Sequence, residues 1–190
     1  VYLLEDITLK PVASYVWNGV EGASGDEYGK VVVRRTYAPG DKITLEPGDT
    51  LVVDFGQNAA AVPSFIFKAA EGTVLTCLPG EVLNDGNGAR SRGMDGPEGS
   101  VHRKNLRTHK SGMRVDYIFG PQKSFVSYCP TRTYFGYRYL SITVTGRTII
   151  KSIESVPVSS LTSDHHTGWL TTGNDDVNRL ISNTVWSQRS

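Results

Sequence analysis

The side chains best suited to chemistry in this sequence are four carboxylates in a glycine-rich segment, residues 79–114. They are Glu81, Asp85, Asp95 and Glu98. Hydrolysis of a glycosidic bond uses two carboxyl groups that flank the bond: one protonates the leaving oxygen, and the other activates water or attacks the sugar. Four acids in a polar loop of this length are nevertheless close to ordinary composition. The pattern favours solvated side chains and turn caps, and it leaves catalysis as the alternative.

Other reactive groups form no recognisable site. Residues 84–88 superficially resemble a calcium loop, yet the spaced acidic ligands, terminal glutamate and flanking helices of an EF-hand are missing. His165 and His166 are adjacent, so they point to opposite sides of an extended chain, and no further ligand stands at metal spacing. Cys77 and Cys129 each lie beside a strand-like run and are predicted to be buried free thiols. We therefore predict no metal and no cofactor.

The charge balance limits the partners that the chain can attract. Twenty Lys and Arg residues against nineteen Asp and Glu residues leave a net charge of +1, so no overall field favours nucleic acid. The stretch from His102 to Arg114 is basic, but no Phe, Tyr or Trp is interleaved in it for base stacking. We interpret it as a face that docks on an acidic neighbouring domain. No apolar run approaches the roughly 20 residues of a membrane span, so neither nucleic acid nor a membrane is a predicted partner.

The elements that must position these side chains are strands. Short β-rich runs separated by Gly, Pro, Asn and Asp are typical of an antiparallel sandwich or barrel. Alternate residues of a run share one face, as Leu51, Val53 and Phe55 do. Turn chemistry at residues 71–72 and 145–147 predicts hairpins there, whereas residues 79–114 contain no convincing strand. The predicted strands are residues 31–37, 50–55, 64–68, 73–78, 115–119, 125–128, 137–145 and 149–158.

The C-terminal segment changes from strand to helix periodicity. Asn174 or Asp175 can cap a helix, and the apolar residues that follow keep the 3.6-residue period: Val177, Leu180, Ile181, Val185 and Trp186. Such a helix needs a surface to pack on, which we expect in a neighbouring domain. We therefore assign residues 1–30 to a lead-in from a preceding domain, residues 31–160 to the sandwich, and residues 161–190 to a linker and the first helix of a following domain.

Several strings occur in an ordered set that covers most of residues 30–190. They are VDFGQN at 53–58, FIFKAAEGT at 65–73, PGEVL at 79–83, DGPEG at 95–99, NLR at 105–107, DY at 116–117 and FGYRYL at 135–140. Each string is weak alone, but the ordered set resembles the bacterial α-L-rhamnosidases of glycoside hydrolase family 78. The resemblance implies an all-β fold, a concanavalin-like (jelly-roll type) antiparallel β-sandwich with a short C-terminal helix.

The resemblance also implies a function for the parent protein. In that family the sandwich precedes an (α/α)₆ barrel, and the barrel carries the acidic residues that hydrolyse terminal α-L-rhamnose with inversion. The helix after residue 172 is similar to the entry into this barrel. No catalytic residue is therefore assigned to this chain, which is predicted to be inactive alone and to have the barrel domain of the same protein as its partner. An extracellular or periplasmic location is expected from the resemblance only.

Rhamnose-containing carbohydrate is a second predicted partner, and the candidate contact residues are Asp85, Asp95, Glu98 and Arg103. An alternative function is therefore an independent lectin-like module that binds rhamnosides through residues 79–114 or through exposed aromatic rings. Core or edge packing is the favoured interpretation of the aromatic candidates Trp17, Tyr134 and Tyr137. A third hypothesis is a self-contained hydrolase that uses Glu81, Asp95 or Glu98.

Overall fold

A computed structural model describes residues 2–86, 94–106, 112–162 and 167–189. Within these ranges the chain is mostly antiparallel β-structure, with a 3₁₀ turn (Glu5–Ile7) and a C-terminal helix, α1 (Asp175–Arg189). No helix in the described ranges has the length and apolar content that a membrane span requires. The strands are β1 (Tyr2–Leu3), β2 (Ala13–Glu21), β3 (Lys30–Tyr37), β4 (Ile43–Leu45), β5 (Thr50–Ala69), β6 (Val74–Gly80), β7 (Val82–Leu83), β8 (Val101–His102), β9 (Val115–Ile118), β10 (Val126–Tyr128), β11 (Phe135–Val144) and β12 (Thr148–Ser159).

Strand β5 joins the two halves of the molecule. Its first part pairs with β2 on one side and β11 on the other, as the alignment of Val53 with Ser14 and Leu140 shows. Its second part pairs with β12 and β10, and Phe65 lies opposite both Ile153 and Tyr128. Because one long strand exchanges its neighbours along its length, the sheet curls over itself. The predicted antiparallel β-sandwich is confirmed.

An irregularity inside β5 corrects the predicted strand boundaries. The sequence indicates two strands, residues 50–55 and 64–68, but the structure continues as one strand from Thr50 to Ala69. Tyr139 pairs with Asp54 and Tyr137 pairs with Ala59, so residues 55–58 form an insertion opposite one residue of β11. A bulge of this kind bends a strand without ending it. Polar residues therefore occur here without marking the end of the strand.

The core lies between the two halves of the curled sheet. Buried apolar residues of β4, β5, β6, β11 and β12 form a single cluster, and the predicted shared face of Leu51, Val53 and Phe55 belongs to it. Edge-to-face contacts extend the cluster, since the ring centroid of Phe67 lies 4.7 Å from that of Tyr117 and 4.8 Å from that of Phe119. Burial of the apolar surface of these side chains stabilises the sandwich.

The prediction of two hairpins is wrong. The turn at residues 71–72 joins β5 to β6 and the turn at residues 145–147 joins β11 to β12, and neither pair of strands shares a ladder. Both turns instead carry the chain to a non-adjacent strand, and they contact each other where the N–H of Val74 donates to Oγ1 of Thr145 at 2.8 Å. Turn residues indicate a reversal of the chain, but they do not determine which strands pair.

Several strands lie where the sequence indicated none. Strand β2 pairs with β3 and β5, so the sheet extends into residues 1–30, although the domain boundaries at residues 30 and 160 stay a prediction. Strands β7 and β8 form a two-stranded ladder inside residues 79–114. Cys77 and Cys129 are free thiols as predicted, but only Cys77 is buried, and Cys129 is half-buried.

Gly56 provides a test of the irregularity in β5. Its φ of +72° is unfavourable for other residues, and an added Cβ would lie 3.2 Å from Cγ1 of Val12. We expect Gly56→Ala to lower the free energy of unfolding by about 1–2 kcal/mol, measured by urea denaturation. Gly120→Ala is the matched control, because nothing lies within 4 Å of a Cβ there. Equal effects of the two substitutions would contradict this account of β5.

Candidate functional site

The structure divides the four predicted contact residues between two places. Asp95 and Arg103 belong to a hydrogen-bonded cluster around the buried side chain of Asn84. Asp85 and Glu98 line a separate cavity. The chain segments that carry them are held together by the β7–β8 ladder and by the hydrogen bonds described next.

The carboxylate of Asp95 is saturated with donors. Its Oδ1 accepts from Nδ2 of Asn84 at 3.0 Å and from Nδ1 of His102 at 3.1 Å. Its Oδ2 accepts from the backbone N–H groups of Arg103 at 2.9 Å and Lys104 at 2.7 Å. Nδ1 of His102 also lies 3.2 Å from Oδ1 of Asn84, and because both neighbours are acceptors, this nitrogen carries the proton. Asp95 therefore ties three segments of the loop together.

The ionisation of Asp95 follows from these contacts. Partial burial by itself would raise its pKa, but the hydrogen bonds from Arg103, Asn84 and His102, together with the charge interaction with His102, lower the pKa below its ordinary value. An ionised carboxylate with its lone pairs engaged is unsuited to be a general acid. We therefore interpret Asp95 as a positioning residue, which holds the surrounding loop segments in place.

Asn84 completes this part of the structure. Its backbone N–H donates to the carbonyl of Ser100 at 2.8 Å, and its own carbonyl accepts from the N–H of Gly99 at 3.0 Å. Its Nδ2 also donates to Oγ of Ser100 at 2.9 Å. These bonds fix residues 97–100 against the start of the loop. Sequence analysis considered Asn84 only as part of the calcium-like string 84–88 and did not predict this role, although polar residues next to short strands are a signal of such clamps.

Arg103 acts in the same cluster. Its Nη2 donates to the carbonyl of Met113 at 2.8 Å, so it links the two ends of residues 103–113. Burial lowers the pKa of Arg103, but an arginine remains protonated at neutral pH. Lys104 and Arg114 also lie within the described residues, whereas Arg107 and Lys110 of the predicted basic face lie outside them, as do His165 and His166.

Asp85 and Glu98 face a cavity of about 250 Å³ whose other wall comes from residues 21–30. Nζ of Lys30 lies 3.0 Å from Oε1 of Glu98. The main chains also meet here, because the N–H of Glu98 donates to the carbonyl of Gly29 at 2.8 Å. The further polar side chains of the cavity are Glu21, Glu27 and Tyr28. Sequence analysis missed these three residues and Lys30, since nothing local relates them to residues 85 and 98.

The remaining candidates do not join either place. Oε1 of Glu81 accepts from Nδ2 of Asn58 at 3.4 Å, beside the irregularity in β5. Tyr137 is only 1% exposed and packs edge-to-face on Phe55, with ring centroids 5.9 Å apart. Tyr134 is 58% exposed, and Trp17 is half-buried in β2. Tyr137 is therefore a core residue, and the predicted packing role is confirmed for this aromatic residue.

Comparison with known proteins relates this sandwich to one family. Residues 42–159 match the model of the bacterial alpha-L-rhamnosidase concanavalin-like domain. The chain belongs to this family. The match covers β4 to β12 and thus includes both the cluster around Asn84 and the Asp85 and Glu98 side of the cavity.

Two curated relatives agree with the family match. An alpha-L-rhamnosidase of Alteromonas sp. (strain LOR) is 26% identical over 140 residues, which cover 73% of this chain and 13% of the relative. An alpha-L-rhamnosidase of Formosa agariphila is 23% identical over 180 residues, which cover 91% of this chain and 18% of the relative. The chain thus matches less than a fifth of the length of either protein.

Solved structures share the fold. A native α-L-rhamnosidase from Aspergillus terreus superposes with a TM-score of 0.57 and 22% identity, over 76% of this chain and 15% of that chain. A rhamnosidase from Klebsiella oxytoca with rhamnose bound gives a TM-score of 0.52 and 17% identity, over 90% of this chain and 32% of that chain. At this level of identity the likeness concerns the fold.

The Asp95 cluster leads to a pH-dependent prediction. In Asp95→Asn an amide NH₂ faces other donors, so we expect the free energy of unfolding at pH 7 to fall by about 1–3 kcal/mol. The native pKa of Asp95 is lowered, so its contribution is complete above the unfolded pKa of about 3.9 and is lost as the pH falls through the native pKa. The difference from wild type should therefore shrink in urea titrations carried to about pH 3.

Asp41→Asn is the matched control. The Asp41 carboxylate accepts a hydrogen bond from the backbone N–H of Ala38 at 2.8 Å, in an exposed turn. We therefore expect Asp41→Asn to lower the free energy of unfolding by less than Asp95→Asn does. A wild-type advantage over Asp95→Asn that stays constant across this pH range would contradict the positioning role of Asp95.

Proposed function

We propose that this chain is the non-catalytic β-sandwich module of an α-L-rhamnosidase, and that it supports a helical catalytic domain of the same protein. The exposed apolar face of α1 carries this proposal. That helix follows a sandwich that belongs to a rhamnosidase domain family. Three lines of argument support the proposal: the helix surface, the size of the relatives, and the contacts of the loop carboxylates.

Helix α1 is well defined at its start but has little packing. Oδ1 of Asn174 accepts from the N–H groups of Asp176 at 2.9 Å and Val177 at 3.3 Å, so the predicted cap is confirmed. No described residue of α1 is buried, and Leu180 is 65% exposed. Trp169, which is 79% exposed, lines a groove beside the helix. Helices are stabilised mainly by packing an apolar face, and exposed apolar surface of this kind marks an interface.

The occupant that we propose for this surface is the rest of a helical barrel whose first helix is α1. The curated relatives extend far beyond the matched part, which is 13% and 18% of their lengths. Glycoside hydrolase family 78, which the sequence resembles, has an (α/α)₆ barrel after the sandwich. An extracellular or periplasmic location stays a prediction from the same resemblance.

The loop carboxylates of this chain already have structural partners. Asp95 accepts four hydrogen bonds, including those from two backbone N–H groups. Glu98 pairs with Lys30, and Glu81 accepts from Asn58. We therefore propose that the two carboxylates of an inverting mechanism, which are held about 6.5–9.5 Å apart to admit a water, belong to the barrel.

A hydrolysis assay tests the non-catalytic role. We expect the purified chain to release no p-nitrophenol from p-nitrophenyl α-L-rhamnopyranoside above the buffer rate. The triple variant Glu81→Gln, Asp95→Asn, Glu98→Gln is the matched control for contaminating activity. Turnover that is present in the wild-type chain and lost in this variant would overturn the proposal and support the self-contained hydrolase.

Leu180→Asp tests the proposed interface. In this chain Leu180 is mostly exposed, so the change should alter the free energy of unfolding by no more than about 0.5 kcal/mol relative to Arg179→Asp, an exposed control on the opposite face of α1. In a longer polypeptide that includes the proposed barrel, the buried charge should cost at least about 2 kcal/mol more than the control. Urea denaturation measures both. Equal effects in both contexts would contradict the interface.

A further inference from the structure

The cavity that contains Asp85 and Glu98 has the features of a binding site that differs from the α1 surface. Its two walls come from residues 21–30 and from residues 85–98, which are distant in sequence. Its volume of about 250 Å³ is just below the range of about 300–1,000 Å³ that is typical for drug-sized ligands. A ligand of the size of one sugar ring therefore fits it better than a larger molecule.

The two walls are held in place by main-chain contacts. The N–H of Glu98 donates to the carbonyl of Gly29, and the N–H of Val31 donates to the carbonyl of Glu98 at 3.1 Å. The hydroxyl of Tyr15 donates to the carbonyl of Gly99 on the same wall. The cavity is therefore formed by the fold itself, which reduces the entropic cost of ordering a site on binding.

Gly86 allows one wall to approach the other. A Cβ at this position would lie 2.8 Å from Oε2 of Glu98, so a larger residue would displace the carboxylate. Because residue 86 has no side chain, the main chain of residues 85–86 can lie close to the Glu98 carboxylate, which stays at the cavity.

The polar groups of the cavity determine the class of ligand. Four acidic residues, Glu21, Glu27, Asp85 and Glu98, are among the residues that line it, together with Tyr28 and Lys30. Carboxylates accept hydrogen bonds from hydroxyl groups, whereas the ammonium donates to hydroxyl or ring oxygens. A ring such as that of Tyr28 can cover an apolar sugar face. The excess of negative charge disfavours an anionic ligand.

A metal ion fits this cavity less well than a sugar does. In the part of the chain that the structure describes, no three Asp, Glu, His or Cys side chains come together as a metal-binding group. The Lys30 ammonium, 3.0 Å from Oε1 of Glu98, already pairs with one of the carboxylates. A cavity that combines acidic residues with one ammonium suits a neutral ligand with several hydroxyl groups.

We infer that this cavity binds a single neutral pyranose unit, with Glu27, Tyr28, Lys30, Asp85 and Glu98 as contact residues. Asp95 and Arg103 then act as positioning residues that hold the 85–98 wall, and they do not contact the sugar. This inference does not depend on the proposed scaffold function, since a module can bind a sugar without cleaving it.

The test is an NMR titration of the ¹⁵N-labelled chain with methyl α-L-rhamnopyranoside, with the anomeric signal of the glycoside followed in the same samples. We expect amide shifts confined to residues 21–31, 84–86 and 97–100 and an intact glycoside. Tyr28→Ala and Glu27→Gln should each weaken binding about tenfold, because the first removes the ring that covers the sugar and the second removes a charged hydrogen-bond acceptor. Both residues are exposed, so the variants are expected to fold, and their spectra verify this.

The matched controls lie away from the cavity. Tyr134→Ala removes another exposed tyrosine and Glu154→Gln neutralises a carboxylate on β12, and both should leave the affinity unchanged. Absence of shifts, shifts elsewhere, or shifts that survive both cavity variants would overturn the inference. So would equivalent shifts from calcium chloride alone that abolish the response to the glycoside. Cleavage of the glycoside would contradict the proposed function, while the amide shifts would still decide whether the cavity binds the sugar.

Discussion

The ion pair between Asp54 and Arg138 is the interaction on which the arrangement of the two sheet halves depends. Oδ1 and Oδ2 of Asp54 accept from Nε and Nη2 of Arg138, each at 2.8 Å, and Oδ1 also accepts from the N–H of Gly56 at 2.7 Å. A two-point, charge-assisted contact of this type fixes geometry as well as contributing energy. It lies where residues 55–58 interrupt the ladder, so it holds β11 to β5 while β5 changes its neighbours.

A different kind of interaction organises the long segment after β6. Its described part buries Met94, Val101 and Leu106, and hydrogen bonds of the Asn84 and Asp95 side chains position it as well. Buried backbone groups need partners, and a segment without regular ladders takes them from side chains. Carboxylates that could take part in catalysis therefore act here as hydrogen-bond acceptors. These bonds hold the described part of the segment in place, and it supplies one wall of the cavity.

The buried core, the exposed surface of α1 and the cavity lie in different parts of the molecule. The core between the sheet halves is a cluster of buried hydrophobic residues, whereas α1 leaves Leu180 exposed. The α1 groove and the Asp85 and Glu98 cavity share no lining residue. A module of this design can pack against a catalytic domain on one surface and remain open to a small ligand on another.

The class of the fold, most of the strands, the start of α1 at Asn174 and the family could be predicted from the sequence, because these depend on local periodicity, capping chemistry and ordered motifs. The folded structure was needed to show that β5 is one strand, that the turns at 71–72 and 145–147 join unpaired strands, and that β2 pairs with β3 and β5. It also separated Asp95 from Asp85 and Glu98 and brought Glu27, Tyr28 and Lys30 to the latter pair. Contacts between residues that are distant in the chain, such as that of Lys30 with Glu98 across 68 positions, are set by strand pairing and burial, which no local pattern specifies.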